Sequence, residues 1–528
     1  MTSIMWLLLC AFPAAVLVAI NPLRRAPAKA QRWLLCIAIV GLGLRLLVAG
    51  RWVMYYTGYA LFDDAVRGLS HSKYGPSTYA LHHAVQSITG PSMELYLMTH
   101  RVLASLCPIL MAALARGCGL SWSSTIVAAG LTATTPLLVM DAATESQLVV
   151  VTIWLLTAAA LISAIALHPK QRTLRLSLAG AMLCLAIWGR PEMAVMAPVV
   201  MAITARSSAL PRRFTAVIVS LSIALVALRL WSLSVEMDTQ SQLGNTPKVF
   251  EVGGLTLAMT LLRDGLIHKS LIWRWDWLPA LLPLAAFGVG KRRVAWWWIV
   301  VLLGSSLATI DMPWLSLPRL HSPTVMWLCL LAGAAFQGSS LKNSRSKTVM
   351  MASFWVLSCL VTLPALSARH LDDDEHDLIV AALQNTRPGD VIGRRSWSDA
   401  PEERLHLHFP DTAFAPRTRV VDLQTLSERA AHGAGSGRYL ALLGTRCSMR
   451  RCSSTKLHPS CATIRARFEL KALWEREVQA PETHLPWPFG SEHKALPDDQ
   501  VRDLDFPWCL SASTFRVGLY ELRGLRGR

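Results

Sequence analysis

About a dozen mostly apolar stretches, each close to the roughly 20 residues needed to cross a bilayer, alternate with short polar connectors between Ile4 and Leu366. They are residues 4–20, 33–50, 94–115, 122–140, 145–167, 174–188, 193–205, 214–235, 278–290, 294–310, 324–337 and 348–366. Threading them back and forth puts every strongly basic connector on one side. These connectors are Arg24, Arg25, Lys29 and Arg32, then HPKQRTLR at 168, RSSALPRR at 206, KRR at 291–293 and SSLKNSRSK at 339. By the positive-inside rule that side is the cytoplasm, and both termini lie outside. The first stretch has no Lys or Arg ahead of its apolar run and several behind it, which predicts an uncleaved helix rather than a signal peptide.

Composition matters here because a net charge of +18 invites a nucleic-acid reading. Residues 1–367 carry 29 Lys and Arg against 12 Asp and Glu, and residues 368–528 carry 23 against 22. The excess therefore belongs to membrane connectors, leaving no role for a nucleic-acid partner. The expected fold is an α-helical polytopic membrane protein of about 12 transmembrane helices, with a C-terminal α/β extracytoplasmic domain. Its boundary falls at 367/368.

In the C-terminal part, residues 378–384 have helical spacing, and the acidic run DDDEHD at 372–377 reads as a solvated helix start. Strands are expected at DVIG (390), RVVDL (419), RYLALLG (438) and FRVGLYEL (515). Cys447, Cys452, Cys461 and Cys509 form an even set, favouring two disulfides in an oxidising compartment over a zinc site that would include His458.

The outer loop 51–93 holds the chemistry-bearing residues. Its adjacent carboxylates Asp63 and Asp64 follow a span by about a dozen residues, at the level where a lipid phosphate headgroup would lie. Taken alone, such a pair also suits a helix cap. In HH at 82–83 the side chains diverge on a helix, so interfacial packing is expected rather than chelation. Asp141 and Glu145 would stack at i and i+4 if one helix ran through both, and Arg190 and Glu192 sit in the next outer turn, WGRPE. Outer cations available to a lipid phosphate are Lys73, Arg101, Lys269, Arg274, Arg319 and His321. The Trp296–Trp298 triplet reads as an interfacial anchor. No HExxH, Walker lysine motif or GxGxxG after a strand is present.

FDDAVRG at 62–68, YGPSTYALHHAVQSITG at 74–90 and the helix around MTHRVLASLCPILMAALAR resemble the first outer loop of the integral-membrane glycosyltransferases called GT-C. The resemblance is strongest to the branch with protein mannosyltransferases, aminoarabinose transferases and Rgt-type enzymes. The pair here is DD where DE is common in that family, the HPPL-like segment is matched only loosely, and one extra helix precedes the loop. The resemblance implies an inverting transfer of a sugar from a polyprenyl-phosphate donor to the hydroxyl of a glycan, lipid or protein acceptor. Asp63 would be the base, and Asp64 would support it or hold a divalent metal. Lys73, Glu145, Arg190, Arg319 and His321 would bind substrate. The expected setting is the bacterial inner membrane, with the C-terminal domain periplasmic and membrane lipids as neighbours. The rival readings are a transporter or flippase of a lipid-linked sugar, and an O-antigen polymerase or ligase.

Overall fold

The computed structural model describes residues 2–47, 75–90, 92–142, 147–190, 192–236, 281–288, 292–310, 322–337, 349, 353, 370–394, 419–433, 437–444, 447, 459–480 and 513–525. These fall into two compact units, a helical one made of Met1–Val48, Asp64–Gly90 and Leu95–Val361, and one that contains the sheet, within Thr362–Arg528, together with the remaining short pieces.

The helical unit follows the apolar stretches closely. It contains α1 (Thr2–Ile20), α2 (Ala28–Leu47), α3 (Pro76–Thr89), α4 (Met93–Ala104), α5 (Cys107–Gly117), α6 (Trp122–Thr134) and α7 (Pro136–Asp141). These are followed by α8 (Gln147–Ser163), α9 (Arg172–Gly189), α10 (Glu192–Ser207), α11 (Arg212–Glu236), α12 (Leu281–Gly288), α13 (Arg292–Ala295), α14 (Trp297–Ile310) and α15 (Ser322–Ala334). Three expected spans are each divided in two; 294–310 breaks at Trp296, between α13 and α14, and proline explains the other two breaks. Pro108 stands in the first turn of α5 and Pro136 opens α7, where a missing N–H is tolerated and a continuous helix is not. The last expected span, 348–366, lies outside the described residues apart from Val349 and Ser353.

Burial separates a core helix from lipid-facing ones. In α8 the residues from Val150 to Ile162 are buried on every side, as expected of a helix that is apolar all round and surrounded by others. By contrast α1, α2 and α11 expose Ile4, Leu7, Trp33, Leu35, Ile39, Val217 and Ile223. Water would make that exposure unfavourable, whereas acyl chains solvate it. Ile4–Arg25, Ala28–Leu47, Leu95–Gly117 and Arg212–Ser232 are long and apolar enough to cross a membrane. The unit is a multi-pass membrane protein in composition and architecture.

Contacts between helices agree with the two-sided threading. At one end Ser121 N–H donates to Gln337 Oε1 (2.6 Å), Arg172 lies 3.5 Å above the Phe214 ring, and Arg206 lies 4.1 Å above the Trp296 ring. At the other end Trp6 meets His83 edge-on, with centroids 6.0 Å apart, and Ser77 Oγ donates to Leu185 O at 2.6 Å. The tryptophan triplet divides its labour. Trp296 is exposed beneath Arg206 as an anchor would be, but Trp297 is fully buried and stacks on Trp327 at 5.0 Å. Successive helical residues point about 100° apart, so three in a row cannot all face the interface.

The second unit is a five-stranded sheet in the order β2-β1-β3-β5-β4, with β1 (Val391–Arg394), β2 (Arg419–Asp422), β3 (Tyr439–Leu443), β4 (Phe468–Ala480) and β5 (Ser513–Leu525). The first three strands are parallel, and β5 is antiparallel to both β3 and β4. Helix α16 (His370–Asn385) covers one face, placing Leu378 and Ala382 on Ile392, Leu440 and Leu442. Helices α17 (Leu423–His432) and α18 (Pro459–Arg467) cover the other, with Leu426 and Ile464 against Ala441 and Leu443. Because both faces of β3 are buried, RYLALLG reads as a continuous apolar run. Asp390 is buried before β1 and accepts from Arg387 N–H (2.7 Å), Arg438 N–H (3.1 Å) and Arg438 Nη2 (2.7 Å), tying the start of β1 to that of β3. Asp422 caps α17 by accepting from Thr425 N–H at 2.8 Å and from its hydroxyl at 2.6 Å. Desolvation pushes the Asp422 carboxyl up, but these hydrogen bonds outweigh it and hold it below the usual range.

Candidate functional site

The stretch after the acidic pair folds as α3, and two small residues fix where it sits. Gly75 has φ +77° and ψ 154°, a conformation open to glycine but rarely to L side chains, and Pro76 then opens the helix. A Cβ at Gly75 would collide with Trp188 O and lie 2.7 Å from Trp188 C, so the backbone of α3 meets that of α9 directly. Gly189 is equally constrained: a Cβ there would collide with Val151 and lie 3.1 Å from Ser77 Oγ. Three helices thus converge, the starts of α3 and α8 and the end of α9. Arg190 emerges from this junction, half-buried and in extended backbone conformation as the C-cap of α9.

On its other faces α3 is lined with rings. Tyr79 and His83, one turn apart, stack at 5.9 Å, and His83 turns towards Trp6 of α1. His82 points into the unit, where its Nε2 lies 3.0 Å from Nε2 of His100 on α4, with the rings nearly parallel. One ring must donate and the other accept, so this contact holds a single proton between the two nitrogens. Tyr96 packs on both imidazoles, at 4.0 and 5.4 Å. Burial, and then the neighbouring His100, hold His82 well below the ordinary imidazole range, so it is neutral at physiological pH.

A second polar feature adjoins the same junction through the first turns of α8. Asp141, buried at the end of α7, shares a small cavity with Arg45, Cys107, Val149 and Thr152. The cavity offers about 10 Å³ to the centre of a water molecule, near the size that holds one water. Arg45 faces the bundle rather than the lipid. It donates through Nη1 to Gly41 O (3.0 Å) and Ala133 O (3.1 Å), and through Nη2 to Thr132 O (3.1 Å). A cation is well placed there, since the last carbonyls of α6 carry the negative end of the helix dipole.

Of the residues singled out in the sequence, Arg190 is described and lies at the three-helix junction. Asp63, Asp64, Lys73, Glu145, Arg319 and His321 lie outside the described residues, as do Cys452 and Cys509. Cys447 and Cys461 are joined by a disulfide, closing the segment between β3 and α18. Among the described residues no group of three or more His, Cys, Asp or Glu is arranged to hold a metal. Helix α7 ends at Asp141 and α8 begins at Gln147, so Asp141 is a helix-terminal residue. The sequence reading missed the His82 partner, because His100 is 18 positions away and sits in an otherwise unremarkable helical run.

No family model matches the chain, and no curated protein matches it in sequence. Several solved structures are similar to it. One is the oligosaccharyltransferase of Archaeoglobus fulgidus tethered to an acceptor peptide containing the NVT sequon, at 12% identity and TM-score 0.42, over 75% of this chain and 64% of that one. Another is ArnT from Cupriavidus metallidurans bound to undecaprenyl phosphate, at 14% identity and TM-score 0.48, over 79% and 93%. A third is the arabinofuranosyltransferase AftD from Mycobacteria, at 14% identity and TM-score 0.43, over 93% and 41%. The chain spans less than two thirds of the length of the oligosaccharyltransferase and AftD chains.

Proposed function

We propose that this chain is a GT-C-type glycosyltransferase that moves a sugar from a polyprenyl-phosphate carrier to an acceptor hydroxyl at the non-cytoplasmic face of a bacterial inner membrane. The acceptor O–H gives its proton to Asp63, and its oxygen attacks the anomeric carbon from the face opposite the carrier. The bond from that carbon to the phosphate oxygen breaks, and the electron pair leaves with polyprenyl phosphate, inverting the centre. The departing phosphate is already a stabilised anion and needs no general acid. Asp64 supports its neighbour, while Lys73, Arg190, Arg319 and His321 supply positive charge and hydrogen bonds to the phosphate. Glu145 is assigned to the acceptor side.

The observation that carries this reading is the junction at Gly75. The helix that follows the acidic pair is fastened, backbone to backbone, to the end of α9 from which Arg190 emerges. The first turns of α8 connect that junction to buried Asp141. The basic connectors gather at the opposite end, which supports an extracytoplasmic site. The Cys447–Cys461 disulfide supports a periplasmic place for the second unit.

The test is sugar transfer from a labelled polyprenyl-phosphate donor in membranes carrying Asp63→Asn or Asp64→Asn. Loss of a positioned base is expected to lower turnover by about 10²–10⁴-fold in the Asp63 variant without changing its melting temperature. Full activity in both variants removes the assignment.

A further inference from the structure

Residues 122–140 are one apolar stretch, yet α6 stops after Thr134 and the chain starts a new helix, α7, at Pro136. Pro136 accounts for the break in two ways. Proline disfavours helical backbone in the residue before it, and Thr135 has φ −59° and ψ 120°. Proline also has no N–H, so Thr132 O, four residues earlier, loses the donor that a continuous helix would supply. Within a membrane span no water takes that donor's place, and the freed carbonyl must be satisfied from elsewhere in the protein.

The replacement comes from α2. Arg45 is buried, and its Nη2 donates to Thr132 O at 3.1 Å while Nη1 donates to Ala133 O at 3.1 Å and to Gly41 O at 3.0 Å. Gly41 lets the two helices approach closely enough for this, since a Cβ there would lie 3.3 Å from Ala133 Cβ and 3.4 Å from Arg45 Nη1. A guanidinium suits the task because it presents several donors in one rigid plane, which two successive carbonyls can share. Both elements joined here lead to the outer face. Helix α2 ends two residues later at Leu47, ahead of the stretch that holds Asp63 and Asp64, and α7 ends at buried Asp141.

We infer that Arg45 is a positioning residue: it supplies the hydrogen bonding that Pro136 takes from α6, and so fixes where the end of α2 and the start of α7 stand relative to each other. A merely lipid-facing or snorkelling arginine would make none of these bonds. The bearing of Arg45 on catalysis rests on the proposed glycosyl transfer, in which the segment after α2 carries the base.

The test joins a stability cycle to kinetics, both on the full chain. The cycle compares the wild type, Arg45→Met, Pro136→Ala and the double variant. Arg45→Met strands the carbonyls at 132 and 133 and is expected to lower the folded-to-unfolded ratio about tenfold, the equivalent of about 1.4 kcal/mol. Pro136→Ala returns an N–H to the backbone, so in that background the loss on Arg45→Met should shrink about fivefold. An equal loss in both backgrounds overturns the capping. Where Arg45→Met fails to fold, recovery of folding in the double variant reads the same cycle, and no recovery overturns it. Kinetics use a labelled polyprenyl-phosphate donor at a temperature where the variants are folded. Arg45→Met should lower kcat about 100-fold with KM little changed, and Arg45→Lys, which keeps a donor, should recover most of that loss. Wild-type kcat in a folded Arg45→Met overturns the positioning role. No transfer by the wild type counts against the glycosyl-transfer reading, whereas the stability cycle reads the capping without any activity.

Discussion

Replacing Gly75 by alanine tests the junction on which the functional reading stands. Two costs add. An L residue at φ +77°, ψ 154° carries backbone strain of about 1–3 kcal/mol. The added methyl also runs into Trp188 O and lies 2.7 Å from Trp188 C and 3.2 Å from Gly189 C. These are backbone atoms in the last turn of α9, which cannot rotate aside as a flexible side chain would, so overpacking adds about 1–3 kcal/mol. The total is about 2–6 kcal/mol. Gly90, at the other end of α3, separates the terms: it has φ +79° and ψ 169°, but a Cβ there meets nothing within 4 Å. Gly90→Ala should therefore show the strain alone. Thermal denaturation of the detergent-solubilised full chain should place Gly75→Ala below Gly90→Ala by about 1–3 kcal/mol. Transfer activity at a temperature where both remain folded should fall far more in Gly75→Ala, because a shift of about 1 Å in a catalytic element can cost about 100-fold. Equal melting temperatures for the two variants would show that the contact between α3 and α9 does not hold the helix in place.

Two further outcomes are expected. His82 is held below the ordinary value in the folded state, so as pH falls through about 6.5 the unfolded chain takes a proton that the folded chain refuses. Stability should be insensitive to this group above that pH, decline below it and level off beneath the folded value. Melting temperature from about pH 8 to about pH 5 should fall more steeply for the wild type than for His82→Gln, and equal slopes would refute the burial of a neutral His82 ring. Removing the disulfide with Cys447→Ser frees a loop spanning 14 positions, worth about 3 kcal/mol of chain entropy. Melting of the sheet-containing unit in the full chain, followed by near-ultraviolet circular dichroism, should drop accordingly, and an unchanged transition would count against the bond.

Much of the architecture was legible because a bilayer imposes a one-dimensional rule. Apolar stretches of the right length must be helices, and basic connectors must alternate, so α1, α2, α8 and α11 fall where the sequence places them. The strands β1, β2, β3 and β5 were readable from short β-rich runs set off by Gly, Pro and polar residues. Strand β4 was not. FELKALWEREVQA is rich in helix formers, and among the described residues its only ladder partner is β5. Its strand identity comes from that pairing.

The sequence by itself determined that this is a multi-pass helical membrane chain with a mixed α/β unit after it, because hydropathy and charge act locally along the chain. It also singled out the acidic pair and Arg190 as candidates for the chemistry. Only the tertiary structure decided that α3 locks onto α9 through Gly75, that His82 pairs with His100, and that Arg45 caps α6. Each of those depends on contacts between residues far apart in sequence, and the geometry of such contacts is set by packing.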